Sequence, residues 1–220
     1  VALVGLIKEA TDSTFLVSLV YAAYVLPSFF FSPIAGPIVD KFDRRKIIVV
    51  VSALQAMCGV GFLLSNADRI WLALLTQIVI SSLAVITLPA FGSALPNITR
   101  NDEELRQANA LFGSSWGASV FIGSAVGGLF AATFGRTATF AADIATFAVC
   151  AGLIALIKIP MQERKADAKR EPVRPIADMR EAFHYAKENN VIFALMASKT
   201  TQAVGAGAVG QLAVLAIDAF

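Results

Sequence analysis

Charged residues are scarce in this chain: Asp, Glu, Lys and Arg make up 15% of its 220 residues, whereas about 25% is usual for a soluble domain. Hydrophobic residues make up 57%, and the chain contains 16 Phe. A soluble globule of this composition would leave too much apolar surface in contact with water. The composition therefore excludes an ordinary soluble domain and predicts that lipid surrounds most of the chain.

Histidine, cysteine and net charge are also low, which excludes several kinds of site. The single histidine, His184, is interpreted as a surface residue because no other metal ligands accompany it. Cys58 and Cys150 lie within apolar runs and are interpreted as small buried side chains. The net charge of +2 gives no basic field for nucleic acid. The sequence has neither a P-loop nor an HExxH motif, so we predict no cofactor, no metal, no nucleic-acid partner and no enzymatic activity.

Six apolar runs occupy most of the chain, and each is long enough to cross a bilayer as an α-helix. Barrel strands would be about ten residues long with alternating polarity, which these runs are not. The sequence therefore predicts an all-α integral membrane protein, because helices satisfy their own backbone hydrogen bonds in lipid. Pro27, Pro33 and Pro37 in the first run and Pro89 in the third are expected to kink or loosen their helices. The runs are Thr14–Pro37, Ile47–Ser65, Ile70–Leu95, Ala108–Phe134, Thr137–Ile157 and Val191–Ile217.

Basic residues are concentrated in alternate connections between the runs. The opposite connections contain only Lys8, Arg69 and Arg136, and Lys199 lies within the last run. The positive-inside rule then predicts that the basic connections face the cytoplasm. They contain Lys41, Arg44, Arg45, Lys46, Arg100, Arg106, Lys158, Arg164, Lys165, Lys169, Arg170, Arg174, Arg180 and Lys187.

The connection from Lys158 to Asn190 is the one long linker. Its first half, QERKADAKREPVRP, is charged and contains proline, so we expect it to be extended or disordered. Its second half predicts a short amphipathic helix on the membrane surface or against the bundle. The apolar residues at helical spacing in that half are Ile176, Met179, Ala182, Phe183 and Ala186.

A motif stands between the first two complete runs, with the sequence GPIVDKFDRRK from Gly36 to Lys46. A glycine suits a tight turn, a carboxylate at a helix end pairs with basic neighbours, and an arginine cluster anchors a loop to an anionic leaflet. The segment resembles the cytoplasmic loop motif of the major facilitator superfamily, whose positions are filled here by Gly36, Asp40, Lys41, Arg44 and Arg45. Asp43 stands where a second glycine is usual. The resemblance implies that Asp40 and the arginines latch the outward-facing state; the alternative is a basic loop that only sets topology.

Later segments resemble the siderophore and macrolide efflux branch of the same superfamily. They are Pro89–Pro96, Leu105–Leu111 and Gly123–Gly128. Gly123, Gly127 and Gly128 match the end of the antiporter motif of span five, although Ser124 replaces an expected proline. Small residues there allow helices to approach closely.

The resemblance also implies a domain organisation, with Val1 to Ile7 as the end of span one and five complete runs as spans two to six. Residues 1–158 are predicted to form the N-terminal transmembrane bundle, residues 159–190 the cytoplasmic linker, and residues 191–220 span seven, the start of a C-terminal bundle. The chain is therefore expected to be a fragment that lacks the C-terminal half of a twelve-span transporter.

Polar residues inside the spans are the candidates for a coupling or substrate pathway. Asp143 shares one helix face with Thr139 and Thr146, and a charge placed there usually faces a cavity or a partner. A structural pair with Arg136, seven residues earlier, is the alternative to a proton or substrate role. Lys199, Thr200, Thr201 and Gln202 form a second polar patch, whereas Gln55, Gln77 and Ser81 are weaker candidates, because hydroxyl and amide side chains often serve only as contacts between helices.

These observations together predict a secondary active transporter. The resemblance implies an exporter of small amphiphilic molecules such as a drug, macrolide or siderophore, working by alternating access with protons as the coupling ion in a bacterial cytoplasmic membrane. Two alternatives are a scaffold or sensor that does not transport, and a membrane-embedded enzyme, which would require a convergent cluster of catalytic side chains within the spans.

Overall fold

The computed structural model describes residues 2–11, 13–162, 180, 181, 184, 185, 187–194 and 198. Up to residue 162 the described chain is helical, with no strand. The helices are α1 (Ala2–Thr11), α2 (Thr14–Lys41), α3 (Arg44–Leu63), a 3-10 turn (Ala67–Arg69), α4 (Ile70–Ile98) and α5 (Asp102–Leu156). By length and composition, α2, α3, α4 with its preceding turn, and α5 are each able to span a membrane. The prediction of an all-α membrane bundle is therefore confirmed.

Helix α5 contains two of the predicted runs, because only Gly135 and Arg136 separate them. It has 55 residues and would be about 80 Å long if it were straight. Gly135 interrupts it with φ 80° and ψ 174°, a backbone conformation that is not helical and that glycine adopts at little steric cost. The predicted runs 108–134 and 137–157 lie on either side of this break.

The chain reverses direction at Gly135, as contacts with α3 show. Just after the break, Phe140 stacks on Phe62, near the end of α3, with ring centroids 5.0 Å apart. At the end of α5, the carbonyl of Ala155 accepts a hydrogen bond from Arg45, in the first turn of α3. The second half of α5 is therefore antiparallel to α3 and packs along its length.

The bundle has two ends, each with its own buried cluster. Helix α3 packs between α4 and the second half of α5, and α2 packs against α4. We call the end where α2 finishes and α3 begins the motif end; its buried residues are Val39, Ile47, Ile48, Val51, Ala90, Ala94 and Met161. The buried residues toward the opposite end are Leu3, Leu6, Ile7, Val17, Val20, Phe62, Ala73, Ile80 and Phe140.

Two glycines of α3 allow close packing within this bundle. A Cβ atom at Gly61 would lie 2.2 Å from the Thr76 hydroxyl of α4, and one at Gly59 would lie 2.8 Å from Ile144 of α5. Both distances are far below van der Waals contact, so the helix spacing depends on the missing side chains.

The first half of α5 has few neighbours among the described residues. Phe112 approaches Phe91 of α4, with ring centroids 6.4 Å apart. A Cβ atom added at Gly123, Gly127 or Gly128 would meet nothing within 4 Å. Within the described chain no helix packs closely on these glycines, and their proposed role in close helix packing stays a prediction.

The prolines do not interrupt their helices. Helix α2 continues through Pro27, Pro33 and Pro37, and α4 continues through Pro89 and Pro96. The prolines therefore do not end their helices, and the expected kinking or loosening at these positions stays a prediction.

Gly36 is not the turn residue that the motif led us to expect. It lies inside α2, and the turn to α3 consists of Phe42 and Asp43. The Asp43 side chain caps α3 by accepting a hydrogen bond from the backbone N–H of Lys46 at 2.9 Å. Since the N-cap residue has an ordinary extended conformation, the reversal needs no glycine.

Candidate functional site

The loop motif is divided between two helix ends. Asp40 and Lys41 finish α2, while Arg44 and Arg45 occupy the first turn of α3. Basic residues at a helix N-terminus are unfavourable for the helix dipole. Asp43, as the N-cap, offsets part of this cost, and contacts with other helices hold the two arginines.

Arg44 is the centre of the motif end, with a side chain only 13% exposed. Its Nη1 atom donates to the carbonyl of Ser93 in α4 at 2.7 Å and to the carbonyl of Met161 at 3.2 Å. Its Nη2 atom lies 3.9 Å from the Asp40 carboxylate, and its Nε atom is buried with no hydrogen-bond partner among the described residues. The guanidinium therefore joins α3 to α4 and to the chain that follows α5.

Three further hydrogen bonds extend this network. Asn97 donates to the carbonyl of Ser93 at 3.1 Å and to that of Met161 at 3.2 Å. Gln162 donates to the backbone carbonyl of Asp40 at 3.2 Å. Together with the bond from Arg45 to α5, these contacts connect all four long helices at one end of the bundle.

The Asp40 carboxylate makes little contact with the rest of the bundle. Its side chain is 77% exposed, and a separation of 3.9 Å makes the contact with Arg44 weak. Lys41 and Lys46 are also exposed. Arg44 faces protein carbonyls, whereas these lysines lie at the surface, and anchoring of the loop to anionic lipid stays a prediction.

Asp143 lies on an exposed face of α5, in the second half of the helix. The hydroxyls that share its face bond within their own helix: Thr146 donates to the Asp143 carbonyl at 2.7 Å, and Thr139 donates to the Gly135 carbonyl at 2.9 Å. The polar stripe is therefore present, and neither hydroxyl is committed to the carboxylate.

Arg136 does not pair with Asp143. Its Nη1 atom lies 3.3 Å from the carboxylate of Glu9 in α1. The alternative of an Arg136–Asp143 structural pair is therefore wrong, because Glu9 takes the guanidinium at the opposite end of the bundle.

The other predicted polar residues fall into two groups. Lys199 and Gln202 lie outside the described residues. Gln55, only 4% exposed, donates to the carbonyl of Ile80 at 3.2 Å, which confirms it as a contact between α3 and α4. Gln77 donates to Ser81 at 2.8 Å within α4 itself.

The histidine and cysteines have ordinary surroundings. His184 is exposed and lies 3.3 Å from Glu188 on the next helical turn. Cys58 and Cys150 are free and half-buried. Among the described residues, no group of three or more His, Cys, Asp and Glu side chains is placed to hold a metal ion.

Sequence reasoning missed the partners of Arg44. Ser93 and Met161 contribute backbone carbonyls, which every residue type has, so the sequence does not identify them. Asn97 resembles any polar residue near a helix end. Met161 had one usable signal: it is an apolar residue between Pro160 and a charged run.

The fold and the motif end define a polytopic α-helical membrane protein whose spans are joined at one face by a basic loop motif. The family model of the Major Facilitator Superfamily matches residues 1–217, and the chain belongs to this family. No solved structure matches the chain.

Curated relatives are efflux proteins at low identity. Macrolide efflux protein A of Streptococcus pyogenes is 23% identical over 202 residues, which cover 89% of this chain and 48% of the relative. Multidrug efflux pump Tap of Mycobacterium tuberculosis is 28% identical over 166 residues, which cover 72% of this chain and 40% of the relative. The chain thus spans about half the length of the curated relatives that it matches.

Proposed function

We propose that this chain belongs to a secondary active transporter that exports small amphiphilic molecules by alternating access. The observation that carries the proposal is the motif end, where a superfamily loop motif joins the ends of four helices through Arg44 and Arg45. Such a network makes one bundle end move as a unit, as rocking between two bundles requires.

The different surroundings of the arginines and of Asp40 support a role for the motif in holding one conformation of the transporter, which we call the latch. The arginines bond to carbonyls inside the bundle, whereas the Asp40 carboxylate is exposed at the surface of the same end. An exposed carboxylate on a rigid support is available to pair with a basic group or a helix N-terminus on another bundle. We propose that this contact holds the outward-facing state and breaks when the transporter opens inward.

The proposed substrate class comes from the names of the relatives and from the chemistry of the spans. Both relatives carry names of efflux proteins, one for macrolides and one for multiple drugs.

Protons are the proposed coupling ion, and Asp143 is the proposed carrier, because its carboxylate makes no ion pair within the described residues. The proposed location is a bacterial cytoplasmic membrane, with the motif end facing the cytoplasm.

The test is energy-dependent flux by the protein expressed from its complete reading frame. Everted vesicles from an efflux-deficient bacterium should accumulate a macrolide or a lipophilic fluorescent cation when respiration is energised, and should lose it when a protonophore is added. Vesicles carrying the Arg44→Ala variant at equal abundance serve as the control. Absence of accumulation for every compound, with normal abundance, would favour the scaffold or sensor alternative.

A further inference from the structure

The chain after α5 turns back across the motif end. Residues 157–162, which we call the strap, follow the last residue of α5. Pro160 favours an extended conformation at the residue before it, so the chain leaves the helix and does not continue it. Within the strap, Ile159 and Pro160 are exposed, whereas Met161 is only 7% exposed. Met161 is therefore the buried side chain of the strap, and Ile157, partly buried, packs against the same cluster.

The Met161 side chain reaches a cluster built by three helices. Met161 belongs to the same buried cluster as Val39 of α2, Ile48 of α3 and Ala94 of α4. A thioether side chain is flexible enough to fill the irregular gap where three helices meet. Burial of this side chain fixes the position of the backbone carbonyl that belongs to the same residue.

That carbonyl is a central acceptor of the motif end. It receives hydrogen bonds from Arg44 and from Asn97, each at 3.2 Å. Gln162, the next residue, donates to the carbonyl of Asp40. The strap is thus tied to α2, α3 and α4 by three hydrogen bonds and one buried side chain.

We propose that Met161 is a positioning residue for the loop motif: its buried side chain fixes the carbonyl that keeps the Arg44 guanidinium from closing further on Asp40, from which it is now 3.9 Å away. Arg44 is largely buried and already has one N–H group, at Nε, without a partner among the described residues. If the carbonyl left, a buried cation would lose one of its two carbonyl acceptors, which is costly. Besides the Ser93 carbonyl, the Asp40 carboxylate, 3.9 Å from Nη2, is then the acceptor on which the guanidinium can close.

The consequence for transport rests on the proposed function. A guanidinium that closes on Asp40 occupies the carboxylate that the latch requires. Loss of the strap should therefore have the same effect on flux as loss of Asp40, although Met161 itself contacts no substrate.

The first experiment measures docking of the strap and requires no transport. With Cys58 and Cys150 replaced by Ala, single cysteines are placed by Val39→Cys, in the buried cluster that contains Met161, and by Lys158→Cys, at an exposed position of the strap. A water-soluble maleimide added to everted vesicles should label position 39 at least about fivefold more slowly than position 158, as one net hydrogen bond of about 1 kcal/mol already suffices. Adding Met161→Ala should accelerate labelling at 39 and leave 158 unchanged. Equal rates at 39 with and without Met161→Ala would overturn the docked strap.

The second experiment asks whether docking positions Arg44. Met161→Ala should lower flux per molecule as much as Asp40→Ala, and the double variant should be no worse than Asp40→Ala alone. Met161→Leu, which conserves volume, should retain flux, and Met57→Ala, at a methionine that is 71% exposed, should be neutral. If Met161→Ala is poorly expressed, Asn97→Ala replaces it, since it removes the second hydrogen bond to the Met161 carbonyl and leaves the buried cluster intact.

The outcomes separate the two proposals. In one outcome, labelling shows a docked strap while Met161→Ala leaves flux unchanged or reduces it independently of Asp40. That result would refute the positioning role and would leave the export proposal unaffected. A protein that shows no flux at all would refute export, while the labelling rates would still decide whether the strap is docked.

Discussion

The guanidinium of Arg136 and the carboxylate of Glu9 lie 3.3 Å apart, which joins α1 to the residue that follows the break in α5. Both side chains are partly exposed, so this pair adds little stability, on the order of 0–1 kcal/mol. The pair matters because it occupies the guanidinium of Arg136, the basic group that the sequence placed beside Asp143. With Arg136 engaged by Glu9, the Asp143 carboxylate has no ionic partner among the described residues.

We expect Asp143→Asn to abolish proton-driven export and to leave substrate counterflow measurable. The amide retains the size of the carboxylate and cannot release a proton. Flux driven by a pH gradient and substrate counterflow in proteoliposomes are the two measurements. Asp68→Asn, an exposed residue of the 3-10 turn, is the matched control. Unchanged gradient-driven flux at full abundance would show that Asp143 carries no coupling proton.

We expect the two aspartates of the motif to respond differently to removal. Asp40→Ala should lower flux with little effect on abundance, because its exposed contact with Arg44 contributes under about 1 kcal/mol to folding. Asp43→Ala should lower abundance or melting temperature, since loss of an N-cap costs about 0.5–2 kcal/mol. Membrane abundance and flux per molecule distinguish them. The latch would be untenable if Asp40→Ala transported normally.

We expect Gly61→Ala to destabilise the bundle by about 1–3 kcal/mol, because the new methyl group would overlap the Thr76 hydroxyl. Thr76→Ala in the same chain should recover much of the loss by removing that hydroxyl. Melting temperature in detergent is the measurement, and Gly152→Ala, at a position with open space around it, is the control. Equal melting temperatures for Gly61→Ala and Gly152→Ala would show that α3 and α4 are farther apart than described.

We expect residues at the motif end to face the cytoplasm and the 3-10 turn to face outward. In a background without native cysteines, an impermeant maleimide added to intact cells should label Asp68→Cys and spare Lys41→Cys and Arg100→Cys. All three positions are exposed, so permeabilised cells should give labelling at each. Labelling of position 41 in intact cells would reverse the proposed orientation.

The helices were predictable because a bilayer requires long apolar runs, but their ends were not. Helix α5 begins at Asp102, six residues before the predicted start at Ala108. Asn101 caps it, and Asp102, Glu103 and Glu104 favour a first helical turn. Hydropathy identifies the part of a helix that lies in hydrocarbon, but it does not identify charged helical turns that extend beyond the hydrocarbon.

The motif itself was recognisable as a contiguous pattern, whereas its partners were not. Arg44 bonds to carbonyls 49 and 117 residues away in the chain. Any residue type offers a carbonyl, so no pattern of side chains identifies these acceptors. The Glu9–Arg136 pair was missed for a related reason: spacing along one helix favoured Asp143, and only the packing of α1 against α5 brings Glu9 closer.

The chain reverses direction at a single residue, Gly135, so the connection between the two halves of α5 is very short. Its φ of 80° and ψ of 174° belong to a region that other residues enter only with strain, so a substitution there is unfavourable even though a Cβ atom would meet nothing within 4 Å. The connection from Leu64 to Arg69 is longer, and most of its residues are exposed. An epitope tag or antibody site engineered at this end of the bundle therefore belongs beside Asn66, while the Gly135 hairpin is unsuitable as a point of attachment.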